Sequence, residues 1–265
     1  MSLPTIRIRN LTVSRLVVGG NPISGFSHAG PARTTAMLDY FTAENAKKLL
    51  RHCEECGINT GFMRADNHII RLLREYWNEG GKIQWFAQTG TGESPDGDIR
   101  KAKACGAKAI YVHGGAVDSF CGSGDCESLR KQLDLIRELG LPAGCAGHNP
   151  QYLLEIERQS WAPDFYMVCL YNVLGYKGKL NAAGDEKFAP GDRKIALDAI
   201  AALPRPCFAY KILAAGRLNP REAFNEVFSR IKSSDGVAVG MFPPDAKSGD
   251  IVAENVAYVN EFAAT

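Results

Sequence analysis

The sequence predicts one (β/α)₈ barrel over residues 1–265, its lower end plugged by an N-terminal β-hairpin. Three observations carry this expectation. Eight short apolar runs alternate without interruption with amphipathic helical stretches. The runs are nearly continuous in apolar character, as parallel strands buried on both faces require. All eight strand–helix units fit into 265 residues with no break in composition, the usual scale of a single closed barrel. An open doubly wound sheet is the alternative, but GGNPISG after the first strand lacks the spacing of a dinucleotide-binding fingerprint and the helix that should follow at once.

The elements follow in order. TIRIRN (5–10) alternates at period 2 and continues through Leu11-Thr12, which makes it the plugging hairpin. Barrel strands are expected at RLVVGG (15–20), INTGFM (58–63), IQWFAQ (83–88), AIYVHG (109–114), PAGCAG (142–147), FYMVCLY (165–171), CFAYKI (207–212) and GVAVGM (236–241). Between them, Thr42 caps a helix with the stripe Ala46, Leu49, Leu50 and Cys53, which Gly57 ends. Leu129, Leu133 and Ile136 form the stripe of a later helix that stops at Gly140. Asn149-Pro150 and Asn219-Pro220 each read as an N-cap followed by an N1 proline, the second with Glu222 placed for a capping box. Ile251, Val252, Asn255, Val256 and Val259 give the last helix a mostly apolar face.

Composition narrows the function classes. A hydrophobic fraction of 45% with 23% charged residues is that of a globule with a sizeable core. The net charge is +2 and the basic residues are scattered, so neither nucleic acid nor a membrane surface is an expected partner. MSLPTIRIRN carries no apolar signal region and no run is long enough to span a bilayer, so a cytoplasmic location is expected. The eight cysteines do not read as a disulfide framework. Cys105, Cys145, Cys169 and Cys207 lie in or beside strand-like runs, where the thiol acts as a small hydrophobe. Cys53 and Cys56 share a helical pattern, and no second such pair exists to complete a zinc site. Cys121 and Cys126 bracket CGSGDC, which reads as a loop.

In such a barrel chemistry sits at the C-terminal ends of the strands. Those ends carry Asn21, then Arg64 and Asp66 with His68, then Gln88, His113, His148 with Asn149, Asn172, Lys211 and finally Met241, polar at seven of the eight positions. Convergent polar groups at strand ends mark a pocket, so His113 is expected to face one. His28 in SGFSHAG and the loop YKGKLNAAGDEKFAPGD (176–192) follow the first and sixth strands and are lid candidates. His52 sits among charged helical residues and reads as a solvated surface group.

NLTVSRLVVGGNPISG, GINTGFMRADNH, AIYVHGG, AGHNPQYLLEI, DFYMVCLYNVL and GVAVGMFPPDAKSGDIVAENVAYV, in that order and over nearly the whole chain, resemble the aldo-keto reductase superfamily. The resemblance implies the plugged barrel and a catalytic histidine at the end of the fourth strand, matched by His113. It also implies a polar pair touching a nicotinamide at the fifth, matched by His148-Asn149. The departures weigh more. The family's aspartate is replaced by Phe62 or Met63, its tyrosine by Asp66, Asn67 and His68, and its lysine by Gln88. Family chemistry needs a tyrosine whose pKa is lowered by a neighbouring ammonium, and a glutamine carries no such charge. Lys247 alone stands where a 2′-phosphate would want a basic pair.

The leading expectation is therefore an enzyme with lyase, aldolase or isomerase action on a small polyhydroxy or carbonyl compound. Lys211 would act as base or Schiff-base former. His113 and His148 would be acid/base groups or oxyanion donors, with Asp66 beside them. Arg64, His68, Gln88, Asn21, Asn149 and Asn172 would bind and orient substrate. Two alternatives stand: an atypical NAD(P)H-dependent oxidoreductase with His113 or His68 as proton donor, and a non-catalytic barrel binding a nucleotide or metabolite. A divalent metal shared by His113 and His148, completed by Asp66, His68 or CGSGDC, remains open as a cofactor beside NAD(P)H or none. A small molecule is the expected partner, and self-association is compatible with the sequence.

Overall fold

The structure, a computed structural model, describes residues 3–89, 94–173 and 188–263. β1 (Thr5–Ile8) and β2 (Leu11–Ser14) pair antiparallel, Ile6 opposite Val13. Eight parallel strands then close a barrel: β3 (Leu16–Gly19), β4 (Thr60–Arg64), β5 (Gln84–Gln88), β6 (Ala109–Val112), β7 (Ala143–Gly147), β8 (Phe165–Cys169), β9 (Cys207–Tyr210) and β10 (Gly236–Gly240). Closure is made by β10 against β3, with Val237 opposite Leu16 and Gly240 opposite Gly19.

Period-2 geometry sorts each strand's apolar side chains between two cores. Val17, Phe62, Phe86, Tyr111, Phe165, Met167 and Phe208 turn inward, whereas Val18, Met63, Trp85, Ile110, Val112, Cys145 and Val168 pack under the helices. The interior is filled mainly by aromatic rings: Phe62 stacks on Phe86 at 5.0 Å and meets Phe208 edge-on at 4.8 Å. Such volume must be matched by small neighbours, which explains the weak-looking strand AGCAG. A Cβ on Gly144 would lie 2.4 Å from the Phe165 ring.

Ile6, Ile8 and Val13 of the hairpin join this inner core. The side chains of Asn59 and Gln84, just before β4 and opening β5, donate to the Thr12 carbonyl. The hairpin thus stops the N-terminal end of the barrel, as anticipated.

The helices are α1 (Pro31–Tyr40), α2 (Ala43–Glu55), α3 (Asn67–Asn78), α4 (Pro95–Ala104), α5 (Gly114–Ser123), α6 (Cys126–Glu138), α7 (Pro150–Glu157), α8 (Pro190–Ala202), α9 (Pro220–Phe228) and α10 (Ile251–Phe262). Thr42, Asn149 and Asn219 cap α2, α7 and α9 through their side-chain oxygens. Two helices occupy sequence without an apolar stripe. α1 buries only Met37, and α5 buries only Gly114 and Val117. CGSGDC is correspondingly no loop: Cys121 lies in the last turn of α5, Gly124 ends it in the left-handed region at φ 77°, and Asp125 caps α6. No described helix is long and apolar enough to cross a membrane.

Two strand limits move in a way that matters. β6 ends at Val112 rather than 114, because His113 already caps α5. β9 ends at Tyr210 rather than 212, because Lys211 takes φ 58° and leaves the ladder. Ala214 and Ala215 follow at φ 49° and 56°, so the chain after β9 holds three non-glycine residues in the left-handed region.

Candidate active site

His113 is placed by the helix it begins. Its Nδ1 accepts the Gly115 amide at 3.1 Å, which fixes the proton of the neutral ring on Nε2. Desolvation is the main reason its pKa falls to about 4; the charge that His148 carries when protonated and those of Arg64 and Lys211 push the same way, against the weaker pull of Asp118. At neutral pH His113 is thus an uncharged imidazole that offers Nε2–H as a donor.

His148 stands 6.5 Å away between ring centroids, with its side chain only 8% exposed. Its Nδ1 is 2.9 Å from Oδ2 of Asp118. The same carboxylate accepts the backbone amides of His148 and Asn149 at 3.2 and 3.4 Å. A carboxylate can only accept, so Nδ1 carries the proton and Nε2 is the nitrogen that can take one. Asp118 escaped the sequence reading because no helix was read between AIYVHG and CGSGDC, which itself read as a loop; the residue lies one turn into α5, thirty positions from its partner. The close approach of α5 depends on Gly114, where a Cβ would lie 2.9 Å from Cε1 of His148 and 3.3 Å from the Tyr210 hydroxyl.

Lys211 extends back over the ring of Tyr210, Nζ 4.9 Å from its centroid, and its charge is felt at His113. Tyr210 is itself edge-on to His148 at 5.9 Å. Burial pushes its phenol well above the usual range, and a hydrogen bond with the buried Cys169 thiol acts in the same direction. Gln88, at the end of β5, hydrogen-bonds Tyr111, whose phenol burial also raises. Arg64 ends β4 opposite Gln88, its Nε 3.2 Å from Asp66 and its guanidinium 4.5 Å from the Phe26 ring.

The fold therefore brings Arg64, Gln88, His113, His148 and Lys211 to one end of the barrel. Other candidates have local duties. Asp66 caps α3 by accepting from Ile69 N at 2.9 Å, besides pairing with Arg64. His68 is exposed on the first turn of α3, and Asn21 is exposed in the turn after β3. Asn149 caps α7, and the Asn172 amide donates to Asp192 at 3.0 Å. His28 meets Phe188 at 6.4 Å, and Phe188 in turn stacks edge-on against Tyr171. Residues 176–187 of the second lid candidate lie outside the described residues; Pro190 already opens α8. His52 is more than a solvated group, since its Nε2 is 2.7 Å from Asp250, the cap of α10.

The residues present do not fit reduction through a nicotinamide by the resembled mechanism. Phe62 and Met63 are buried where an aspartate is needed, and Gln88 stands in place of the lysine. The two tyrosines nearest the site have their phenols pushed up rather than down. Among the described residues, no three His, Cys, Asp or Glu side chains converge as metal ligands.

No protein-family model matches the chain, and no curated protein sequence does. Solved structures do. Over 99% of its length the chain is similar to a protein from Pseudomonas aeruginosa provisionally assigned as an aldo-keto reductase, at 18% identity and a TM-score of 0.62, covering 94% of that chain. It is also similar over 99% of its length to phospho-2-dehydro-3-deoxyheptonate aldolase (DAHP synthase) from Thermotoga maritima, at 12% identity and a TM-score of 0.57, covering 74% of that chain. A third similarity, to a provisionally assigned deoxyribose-phosphate aldolase from Coccidioides immitis, spans 80% of this chain and 79% of that one at 10% identity and a TM-score of 0.52. At these identities the likeness is one of fold: the plugged barrel that the sequence resemblance implied is the fold the chain has.

Proposed function

We propose that the chain is an enzyme that enolises a small carbonyl compound, the opening step of isomerase or aldolase-type lyase chemistry. His148 takes the proton from the carbon beside the carbonyl onto Nε2, with Asp118 holding the ring and balancing the charge it gains. The C–H electron pair becomes the enolate double bond, and the carbonyl oxygen gathers negative charge. His113 donates Nε2–H to that oxygen, and Lys211 supplies positive charge nearby. In an α-hydroxy carbonyl compound the hydroxyl proton passes to the former carbonyl oxygen, and return of the carbon-bound proton to the former carbonyl carbon completes an isomerisation; cleavage of a carbon–carbon bond, run in either direction, uses the same kind of enolate.

One observation carries this reading: two histidines of opposite disposition lie 6.5 Å apart at one end of the barrel. One is neutral with a fixed donor nitrogen, and the other is tied to a carboxylate that makes it a base. A pair of titratable groups held to different tasks by their surroundings is the mark of an acid/base assignment. The Tyr210 ring stabilises the ammonium form of Lys211, which suits a charged role better than that of a neutral amine forming a Schiff base.

The test is hydrogen exchange. The protein in D₂O would be given small α-hydroxy aldehydes, hydroxy ketones and 2-oxo acids, and loss of the α-proton followed by NMR. Exchange above buffer that falls by roughly 10² or more in His148→Gln supports the reading. Oxidation of NADPH by the same compounds without exchange would replace it with the oxidoreductase alternative. Saturable binding with neither would favour the non-catalytic one.

A further inference from the structure

The site's cations differ in how fully the protein uses them. Arg64 has its Nε engaged by Asp66 and one face covered by Phe26. Its two terminal nitrogens make no hydrogen bond to any described residue, although the side chain is only 23% exposed. Other enclosed arginines are spent on the fold. Arg15 donates to the carbonyls of Lys232, Asp235 and Ala263, and Arg193 bonds Glu226, Tyr171 and the Ile212 carbonyl. A guanidinium is a rigid fork of donors, and its outer edge matches two oxygens of a carboxylate or phosphate. Leaving that edge unbonded in a half-enclosed place costs stability unless something else satisfies it.

The surroundings hold the fork still. Asp66 is itself locked, since its other oxygen caps α3. Phe26 is 47% exposed, on the segment after β3, so an aromatic that would otherwise be misplaced on the surface gains a partner by covering Arg64. Arg64 lies opposite Gln88 on the neighbouring strand, and Gln88 lies opposite Tyr111, two residues before His113 on the next, so its charge acts on both Tyr111 and His113. An anion on its outer edge is therefore within a small molecule's length of the proposed donor.

We infer that Arg64 is a specificity-determining residue, whose terminal nitrogens take an anionic oxygen group, a carboxylate or a phosphate, of the substrate. Asp66 and Phe26 are then positioning residues that aim the fork. The substrate class narrows from small carbonyl compounds to those bearing such a group. This rests on the enolisation reading for the reaction but not for the binding, and the two can fail separately.

The experiment uses inert probes with no carbonyl to enolise: glycerate, glycerol 3-phosphate and glycerol, titrated calorimetrically into the full chain. Wild type is expected to bind one of the acids at least about tenfold more tightly than glycerol. Arg64→Gln should abolish that preference and Arg64→Lys should keep part of it, with circular dichroism showing both variants folded. Which acid binds separates carboxylate from phosphate. Equal affinity for all three probes, no saturable binding of either acid, or an unchanged preference in Arg64→Gln overturns the inference. If the acids bind through Arg64 and no carbonyl compound exchanges, the enolisation reading falls and the anion site stands. If carbonyl compounds bearing a carboxylate or phosphate exchange equally well in wild type and Arg64→Gln, the anion site falls and the enolisation reading stands.

Discussion

The two ends of this barrel solve opposite problems with the same strands. At the N-terminal end the opening is closed by Ile6, Ile8 and Val13, which extend the aromatic interior, and by side-chain amides that satisfy the hairpin's backbone. At the C-terminal end the interior gives way to His113, His148, Arg64 and Lys211, held by hydrogen bonds and ring contacts rather than by apolar packing. The lower end should therefore govern stability and the upper end chemistry, and substitutions at each should leave the other's property largely alone.

The sharpest test of this division is His148→Gln. Exchange activity should fall by roughly 10² to 10⁴, with unfolding shifted far less than activity, as urea titration would show. A parallel loss of fold would mean that the His148–Asp118 pair is mainly structural. Next comes Ile8→Ala at the opposite end, which removes a fully buried side chain and should cost about 2–5 kcal/mol in urea unfolding. The variant's exchange rate should persist below its unfolding temperature; lost activity in a folded variant would break the comparison.

A third prediction concerns acid stability. The folded His113 pKa lies near 4, below the ordinary value of 6.5, so the unfolded chain binds the proton more readily. The stabilisation is complete above pH 6.5 and is lost as pH falls toward 4, amounting to on the order of 2–3 kcal/mol. His113→Gln should flatten that part of the stability–pH curve; an unaltered slope would show that the ring is not desolvated as described. The smallest effect is expected for Gly114→Ala. Its new methyl group would press on the His148 ring, costing about 1–3 kcal/mol and lowering exchange while KM changes little. Unchanged activity there would show that α5 can shift without disturbing the base.

Much of this was legible in the chain. The eight apolar runs, the plugging hairpin and the caps at Thr42, Asn149 and Asn219 follow from patterns that repeat over a few residues. The ring of polar strand ends was also visible, and it contains His113, His148, Arg64, Gln88 and Lys211. α5 was not, because GGAVDSFCGS opens with two glycines and has no apolar stripe; its helix is secured by His113 at one end and by packing of Val117. Without α5 there was no way to see Asp118. Nor did residue type separate Asp66 and Asn149, whose side chains serve as caps, from the polar residues left to face a ligand.

What the sequence determined by itself is the barrel and the identity of the groups at its mouth. Strand and helix periods come from backbone geometry and need only neighbouring residues to be read. What the tertiary structure decided is how those groups differ from one another. The desolvation of His113, the Asp118 partner of His148 and the Phe26 cover of Arg64 each depend on which groups distant in sequence come close. Such contacts are set by how helices and loops pack on the finished barrel, over separations that no local pattern encodes.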